Sequence, residues 1–168
     1  SDLRNLDLVT IDPDNARDHD DAVWAKPHPK TPNNWEIIVA ISDVAHYVRS
    51  GSDLDQAAQT RGNSVYFPDR VVPMLPGILS SNICSLRSGN DRLGIVVRIL
   101  IDSEGQKIAH TFMRAIVRVR QNLTYKEAQH HYESMPQRPR DALSTLDHLF
   151  GAYHALSRAS RRRSPLRI

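Results

Sequence analysis

The chain has 168 residues, a formal net charge of +3 and a sequence pI of about 9.2. At 40% hydrophobic and 24% charged residues it reads as one globular domain, not a disordered segment, and no apolar run reaches the roughly 18 residues of a membrane span. The single cysteine, Cys84, excludes an internal disulfide and a Cys-based zinc site, and residues 1–7 lack the apolar core of a signal peptide, so a soluble cytoplasmic protein is expected.

Taken in order, "LVTI" (8–11), "AVWA" (22–25) and "WEIIVAI" (35–41) read as strands, the third apolar enough for burial on both faces. "KPHPKTPNN" between the second and third carries three prolines and two asparagines and reads as a turn. "SDLDQAAQTRG" is a short helix with Ser52 as N-cap, Asp55 in its first turn and Gly62 as its stop. Cys84, in "SNICSLRS", has no base beside it and is expected to be buried, not nucleophilic.

"LGIVVRILI" (93–101) and "KIAHTFMRAIVRV" (107–119) are strands joined by the hairpin residues "DSEG". Thr124 and Glu127 stand at capping-box spacing and open a helix over "LTYKEAQHHYE". A proline-containing loop over 135–139 precedes a long helix over 140–163, with Leu143, Leu146, Leu149, Phe150, Tyr153 and Leu156 on one face. Strands first and helices later imply an α+β fold with a mostly antiparallel sheet or barrel and peripheral helices.

Charge is unevenly spread. "SRASRRRSPLRI" at the C-terminus holds five arginines and no acid, whereas 12–21 holds five aspartates. That asymmetry suits a polyanion lying on basic surface with an acidic spot under its reactive point, although the arginine run alone is equally a solvated helix end.

Asp12 ends a predicted strand, Asp18 lies in the following loop, and Asp20 and Asp21 lead into the next strand, a path that can bring four carboxylates around one point. Two carboxylates about 4 Å apart repel by around 4 kcal/mol at an effective dielectric near 20, so such a group needs protons or a cation. Oxygen ligands without a Cys or His pair select Mg²⁺, or Mn²⁺, over Zn²⁺. An EF-hand loop fails in both registers, because Ala16 and Arg17, or Val23, fall where ligands or Gly belong. The plainer reading is a solvated acidic turn, which suits Asp14.

The stretch "VTIDPDNARDHDDAVWA", followed by "VAISDVAHYVRSGSDLDQAAQTRGNSVYFPDRVVPMLPGILSSNICSLRSGNDRLGIVVRILID", resembles the catalytic (RNB) domain of the ribonuclease II and ribonuclease R family, nearer the ribonuclease R branch. The resemblance implies a magnesium-dependent exoribonuclease that degrades single-stranded RNA from the 3′ end to nucleoside 5′-monophosphates. It carries the family's four active-site aspartates onto Asp12, Asp18, Asp20 and Asp21, with Asp20 the one most directly tied to cleavage and the others holding metal. Tyr66 of "SVYFPDR" takes the place of a nucleotide-stacking tyrosine. Asp43 falls on a family aspartate and is expected to support the site from behind; a plain turn cap is the alternative. His19, where the family commonly has Phe or Met, reads as a packing variant. His46, His110, His130 and His131 have no ligand spacing with the cluster.

Family members are longer than this chain. Their catalytic domains continue with a phosphate-contacting arginine and a single-strand channel, and they carry flanking OB-fold modules of the cold-shock and S1 types, none of which is seen here. Residues 1–168 are therefore expected to be the N-terminal part of an RNB domain, with doubtful activity alone. Two other readings remain: a non-catalytic RNA-binding or assembly module built on the basic C-terminal helix, and a phosphohydrolase using His19 and Asp20 as a His-Asp metal pair.

Overall fold

The computed structural model describes residues 1–134 and 144–163. The expected loop over 135–139 and the first residues of the expected last helix, 140–143, lie outside them, as does the tail 164–168.

Five strands close into a barrel in the order β1-β2-β3-β6-β7. β1 (Leu8–Asp12), β2 (Asp21–Pro27), β3 (Trp35–Ser42), β6 (Asp91–Ile101) and β7 (Lys107–Thr124) follow the apolar runs of the sequence closely. Four of the five seams are antiparallel, and β1 closes the ring by running parallel to the end of β7. The closing seam uses Val119 and residues 121–124 of β7, which extends five residues beyond its expected end at Val119 because those polar residues find partners on β1.

The barrel is narrow, and its filling shows why. Leu8, Ala22, Ile38, Ala40, Val96, Ala115, Val117 and Val119 form the buried interior, three of them alanines, with Leu86 inserted from the segment just before β6. Burying each full-sized aliphatic side chain stabilises the fold by about 1.5–3 kcal/mol. The outward residues of β1, β2 and β3, among them Val9, Ala25 and Ile37, are buried under a helix. Two-sided burial of β3 thus holds along most of the strand but fails at Ile41, which is 45% exposed.

The covering helix is α4 (Thr145–Arg162), opened by a capping box between Ser144 and Asp147. Its buried residues are Leu146, Asp147, Ala152, Ala155 and Ala159, whereas Tyr153 and Leu156, expected on the buried face, are exposed. Small residues won this face because the backbone comes close: a Cβ on Gly151 would meet Cη2 of Trp35 at 2.3 Å, and one on Gly105, in the β6–β7 turn, would meet the Ala155 carbonyl at 2.1 Å. The turn is closed by Asp102, whose Oδ1 accepts from the Glu104 and Gln106 amides.

Helices α1 (Val44–Tyr47) and α2 (Asp53–Arg61) follow β3, and α3 (Tyr125–Ser134) follows β7. The caps behave as the letters indicate. Ser52 Oγ accepts from the Asp55 amide, Gly62 stops α2 at φ 78°, and Thr124 and Glu127 bond reciprocally. A small hairpin, β4 (Val65–Tyr66) with β5 (Val71–Val72), and a π-helical turn over Leu79–Ile83 complete the fold. On the outer side of β6 and β7, Ile95, Phe112 and Ile116 remain exposed.

Candidate active site

β1 delivers Asp12 as its last residue, opposite Thr124, which caps α3. The chain then turns, with the Ala16 amide donating to the Pro13 carbonyl, and returns to the sheet. The Ser42 amide donates to the Asp20 carbonyl at 2.9 Å, and Asp21 opens β2 opposite Ile41. The four expected carboxylates thus hang from two neighbouring strand ends and the loop joining them.

That loop is stitched down to the chain around Cys84. Ser85 Oγ donates to the Arg17 carbonyl at 2.9 Å and accepts from the His19 amide, while the Leu86 amide donates to the His19 carbonyl at 2.8 Å. Arg92 braces the same segment through the Ser85 and Asn82 carbonyls. Cys84 is buried as expected, and burial pushes its thiol up.

The electrostatics single out Asp20. Desolvation raises its carboxyl above the ordinary value, and Asp18, Asp21 and Asp12 raise it further by like-charge repulsion, with His19 acting in the opposite sense. Desolvation also raises Asp21, aided by Asp12. Unlike these two, Asp12 has a close polar partner: His19 Nδ1 lies 2.7 Å from its Oδ2. His19 is therefore not the packing variant expected from the sequence but a hydrogen-bonding neighbour of the cluster. Its position between two aspartates is the one signal that pointed this way.

Asp14 stands apart. Its carboxylate pairs with Lys126 Nζ of α3 at 2.6 Å instead of bonding its own turn. Asp43 is 2% exposed, and its Oδ2 forms an ion pair with Arg114 Nε at 3.1 Å. It makes no side-chain cap for α1, so the turn-cap alternative fails, and its backbone lies next to Ser42, the residue bonded to Asp20. Sequence reasoning missed Arg114, Ser85 and Asn122, which lie far along the chain in unremarkable polar contexts.

Tyr66 stands on β4 with its ring 68% exposed. Its hydroxyl donates to Asp18 Oδ2 over a long 3.4 Å, and the negative charge of Asp18 pushes the phenol up. The Arg70 guanidinium lies 4.8 Å from the centre of the adjacent Phe67 ring. A flat aromatic face is thus held beside the acidic loop and open to solvent.

The basic end of α4 does not frame this site. Arg158 donates to the Ser103 carbonyl and Arg162 pairs with Glu104, both in the β6–β7 turn, at the end of β7 opposite the Asp12–Thr124 pair. A groove of about 580 Å³ lies between the barrel and α4, lined by Trp24, Lys26, Arg120, His131 and His148 among others, and contains none of the four aspartates.

The donor set fits a hard divalent cation. Asp20 and Asp21 have no hydrogen-bond or ion-pair partner for their carboxylates among the described contacts, and the repulsion at Asp20 is the charge excess a cation would relieve. Among the described residues no three His, Cys, Asp or Glu side chains form a ready-made metal-holding group. An ion here would therefore meet at most two of the four aspartates as they stand, a ligand number that Mg²⁺ accepts when water and substrate phosphate supply the rest.

Residues 1–166 match the family model of the RNB domain. Ribonuclease R of Escherichia coli (strain K12) is 45% identical over 129 residues, 77% of this chain and 16% of its own length. Ribonuclease R of Vibrio parahaemolyticus is 40% identical over 168 residues, covering 98% of this chain and 20% of its own length. The solved structure of Mycoplasma genitalium RNase R in complex with ribose methylated single-stranded RNA aligns with a TM-score of 0.81 at 31% identity, over 97% of this chain and 25% of that one. The chain spans 16–20% of the length of these two curated relatives. With its closed α+β barrel and its sequence both matching, the chain belongs to the RNB domain family and stands with ribonuclease R.

Proposed function

We propose that the chain is the N-terminal part of the catalytic domain of a magnesium-dependent, 3′-to-5′ exoribonuclease that hydrolyses single-stranded RNA to nucleoside 5′-monophosphates. The observation that carries this reading is that the end of β1, the start of β2 and the loop joining them bring Asp12, Asp18, Asp20 and Asp21 to one end of the barrel. Asp12, Asp18, Asp20 and Asp21 would hold Mg²⁺, or Mn²⁺ in its place. Such an ion, when bound, lowers the pKa of a water and neutralises phosphate charge.

The chain's own residues supply ligands and orientation. Asp20, pressed by like charge from Asp18, Asp21 and Asp12, is the carboxylate whose charge a bound ion would offset most, which suits it to a central place among the ligands. Tyr66 offers an exposed ring on which a terminal base can stack, a contact that tolerates any base. Asp43 stabilises the strand end behind Asp20 through its pair with Arg114. The chain's small share of its relatives' length supports a further expectation, that additional polypeptide completes the catalytic domain and adds OB-fold modules that gather RNA. The lone cysteine supports a cytoplasmic setting.

The test is Asp20→Asn in the full-length protein, assayed on a uniformly labelled single-stranded RNA. Release of monophosphates should cease while RNA binding persists, because binding rests on basic and stacking groups spread along the strand. Cleavage equal to that of the parent refutes the reading. A non-catalytic module would release no monophosphate with or without Mg²⁺. The basic helix invoked for such a module has Arg158 and Arg162 tied to the β6–β7 turn.

A further inference from the structure

We infer that His19 is the positioning residue of Asp12: it fixes the orientation of that carboxylate for the cation. The inference rests on the reading that Asp12 is a metal ligand. Three features of the geometry carry it.

First, the contact is short and directional. His19 Nδ1 lies 2.7 Å from Asp12 Oδ2, and because an ionised carboxylate only accepts, the proton resides on Nδ1. One carboxylate oxygen is thereby occupied by a charge-assisted bond, and the rotation of Asp12 about its side-chain torsions is restricted.

Second, the backbone that carries the imidazole is held. The His19 amide donates to Ser85 Oγ and its carbonyl accepts from the Leu86 amide, so the backbone on both sides of the ring is fixed to the segment that plugs the barrel.

Third, the anchors form a circuit that returns to β1. Asn122 Nδ2 donates both to the Leu86 carbonyl and to Thr10 Oγ1, each at 3.0 Å. Thr10 is wholly buried, lies 3.4 Å from His19 Nδ1 through its hydroxyl, and stands two residues before Asp12, on the same face of the strand. β1, β7, the Leu86 plug and the acidic loop are thus joined through polar groups, and His19 is where that network reaches a candidate ligand. Hydrogen-bonded partners behind metal-binding side chains typically alter metal affinity by about 10–100-fold when removed.

The experiment measures Mn²⁺ binding by the loss of the free-ion electron paramagnetic resonance signal, in the full-length protein without RNA. His19→Phe keeps ring bulk and removes the donor; His19→Asn keeps an amide donor near the Nδ1 position; Asp12→Asn is the control. His19→Phe should weaken Mn²⁺ binding about 10–100-fold, while His19→Asn should stay within about threefold of the parent. His19→Leu is the second donor-free variant should His19→Phe not retain the parent's circular dichroism. The inference is overturned if His19→Phe binds Mn²⁺ like the parent, or if His19→Asn loses as much as His19→Phe. Undiminished Mn²⁺ binding by Asp12→Asn refutes instead the reading of Asp12 as a ligand; weakened binding there, with none in His19→Phe, refutes the positioning role alone.

Discussion

Arg114 Nε on β7 pairs with Asp43 Oδ2, just beyond β3, across 3.1 Å as an ion pair, and the two side chains differ sharply in environment: 68% exposed for the arginine and 3% for the carboxylate. The second oxygen, Asp43 Oδ1, is buried without a hydrogen-bond partner among the described residues. The pair's weight therefore lies on the buried side. Arg114→Ala leaves an uncompensated buried carboxylate and is expected to destabilise the fold by about 1–3 kcal/mol. Combining it with Asp43→Asn should recover part of that loss, and urea unfolding of the four members of the double-mutant cycle measures the coupling.

Asp20→Asn is expected to act in opposite directions on activity and stability. Loss of a group that stabilises the reacting centre should lower the rate at least about 100-fold. Stability moves the other way, since the folded-state carboxyl is raised by desolvation and like charges. A carboxyl raised on folding favours the fold while protonated, below its unfolded pKa, and that contribution disappears as pH rises through its folded pKa. At neutral pH the ionised Asp20 thus disfavours the fold, and Asn should raise the unfolding free energy, and with it the melting temperature, by an amount within the ~0.2–1 kcal/mol typical of exposed charge pairs. The gain should vanish at pH values below the ordinary carboxylate range, in metal-free buffer.

Tyr66→Ala is expected to weaken single-stranded RNA binding by about 1–3 kcal/mol, the usual contribution of one stacked base. Tyr66→Phe should retain most of the affinity, because the hydroxyl makes only the 3.4 Å contact with Asp18 while the exposed ring does the stacking. Fluorescence anisotropy at fixed salt separates the two variants; equal losses would assign the role to the hydroxyl.

Gly151→Ala is expected to loosen α4 from the barrel. Its Cβ would meet the Trp35 ring at 2.3 Å, so helix or indole must shift, a form of overpacking that costs about 1–3 kcal/mol. The gain of about 1 kcal/mol that Ala normally brings over Gly inside a helix offsets only part of this. Thermal unfolding followed by circular dichroism gives the net sign, which should be destabilising.

Much of this molecule was legible as letters because the signals are local. Apolar runs marked the barrel strands, Ser52, Gly62, Thr124 and Glu127 marked helix ends, and the spacing of Asp12, Asp18, Asp20 and Asp21 carried both the cation chemistry and the family resemblance. On the buried face of α4 the reading held for Leu146, Leu149 and Phe150 but failed at Tyr153 and Leu156, because periodicity favours large apolar residues whereas the Trp35–Gly151 and Ala155–Gly105 contacts demand small ones. The parallel seam between β1 and β7 was invisible, since "RQNLT" becomes strand only when β1 supplies its hydrogen-bond partners.

The sequence by itself determined the elements, the acidic chemistry and the family, because each depends on residue type and short-range spacing. Only the tertiary structure decided that His19 serves Asp12, that Arg114 answers Asp43, and that the basic end of α4 lies away from the aspartates. Those relations join residues 7 to 71 positions apart along the chain, or depend on which end of a barrel an element reaches. Hydrogen bonds and ion pairs act over a few ångströms of space, and the closing of the barrel sets which side chains come within that range.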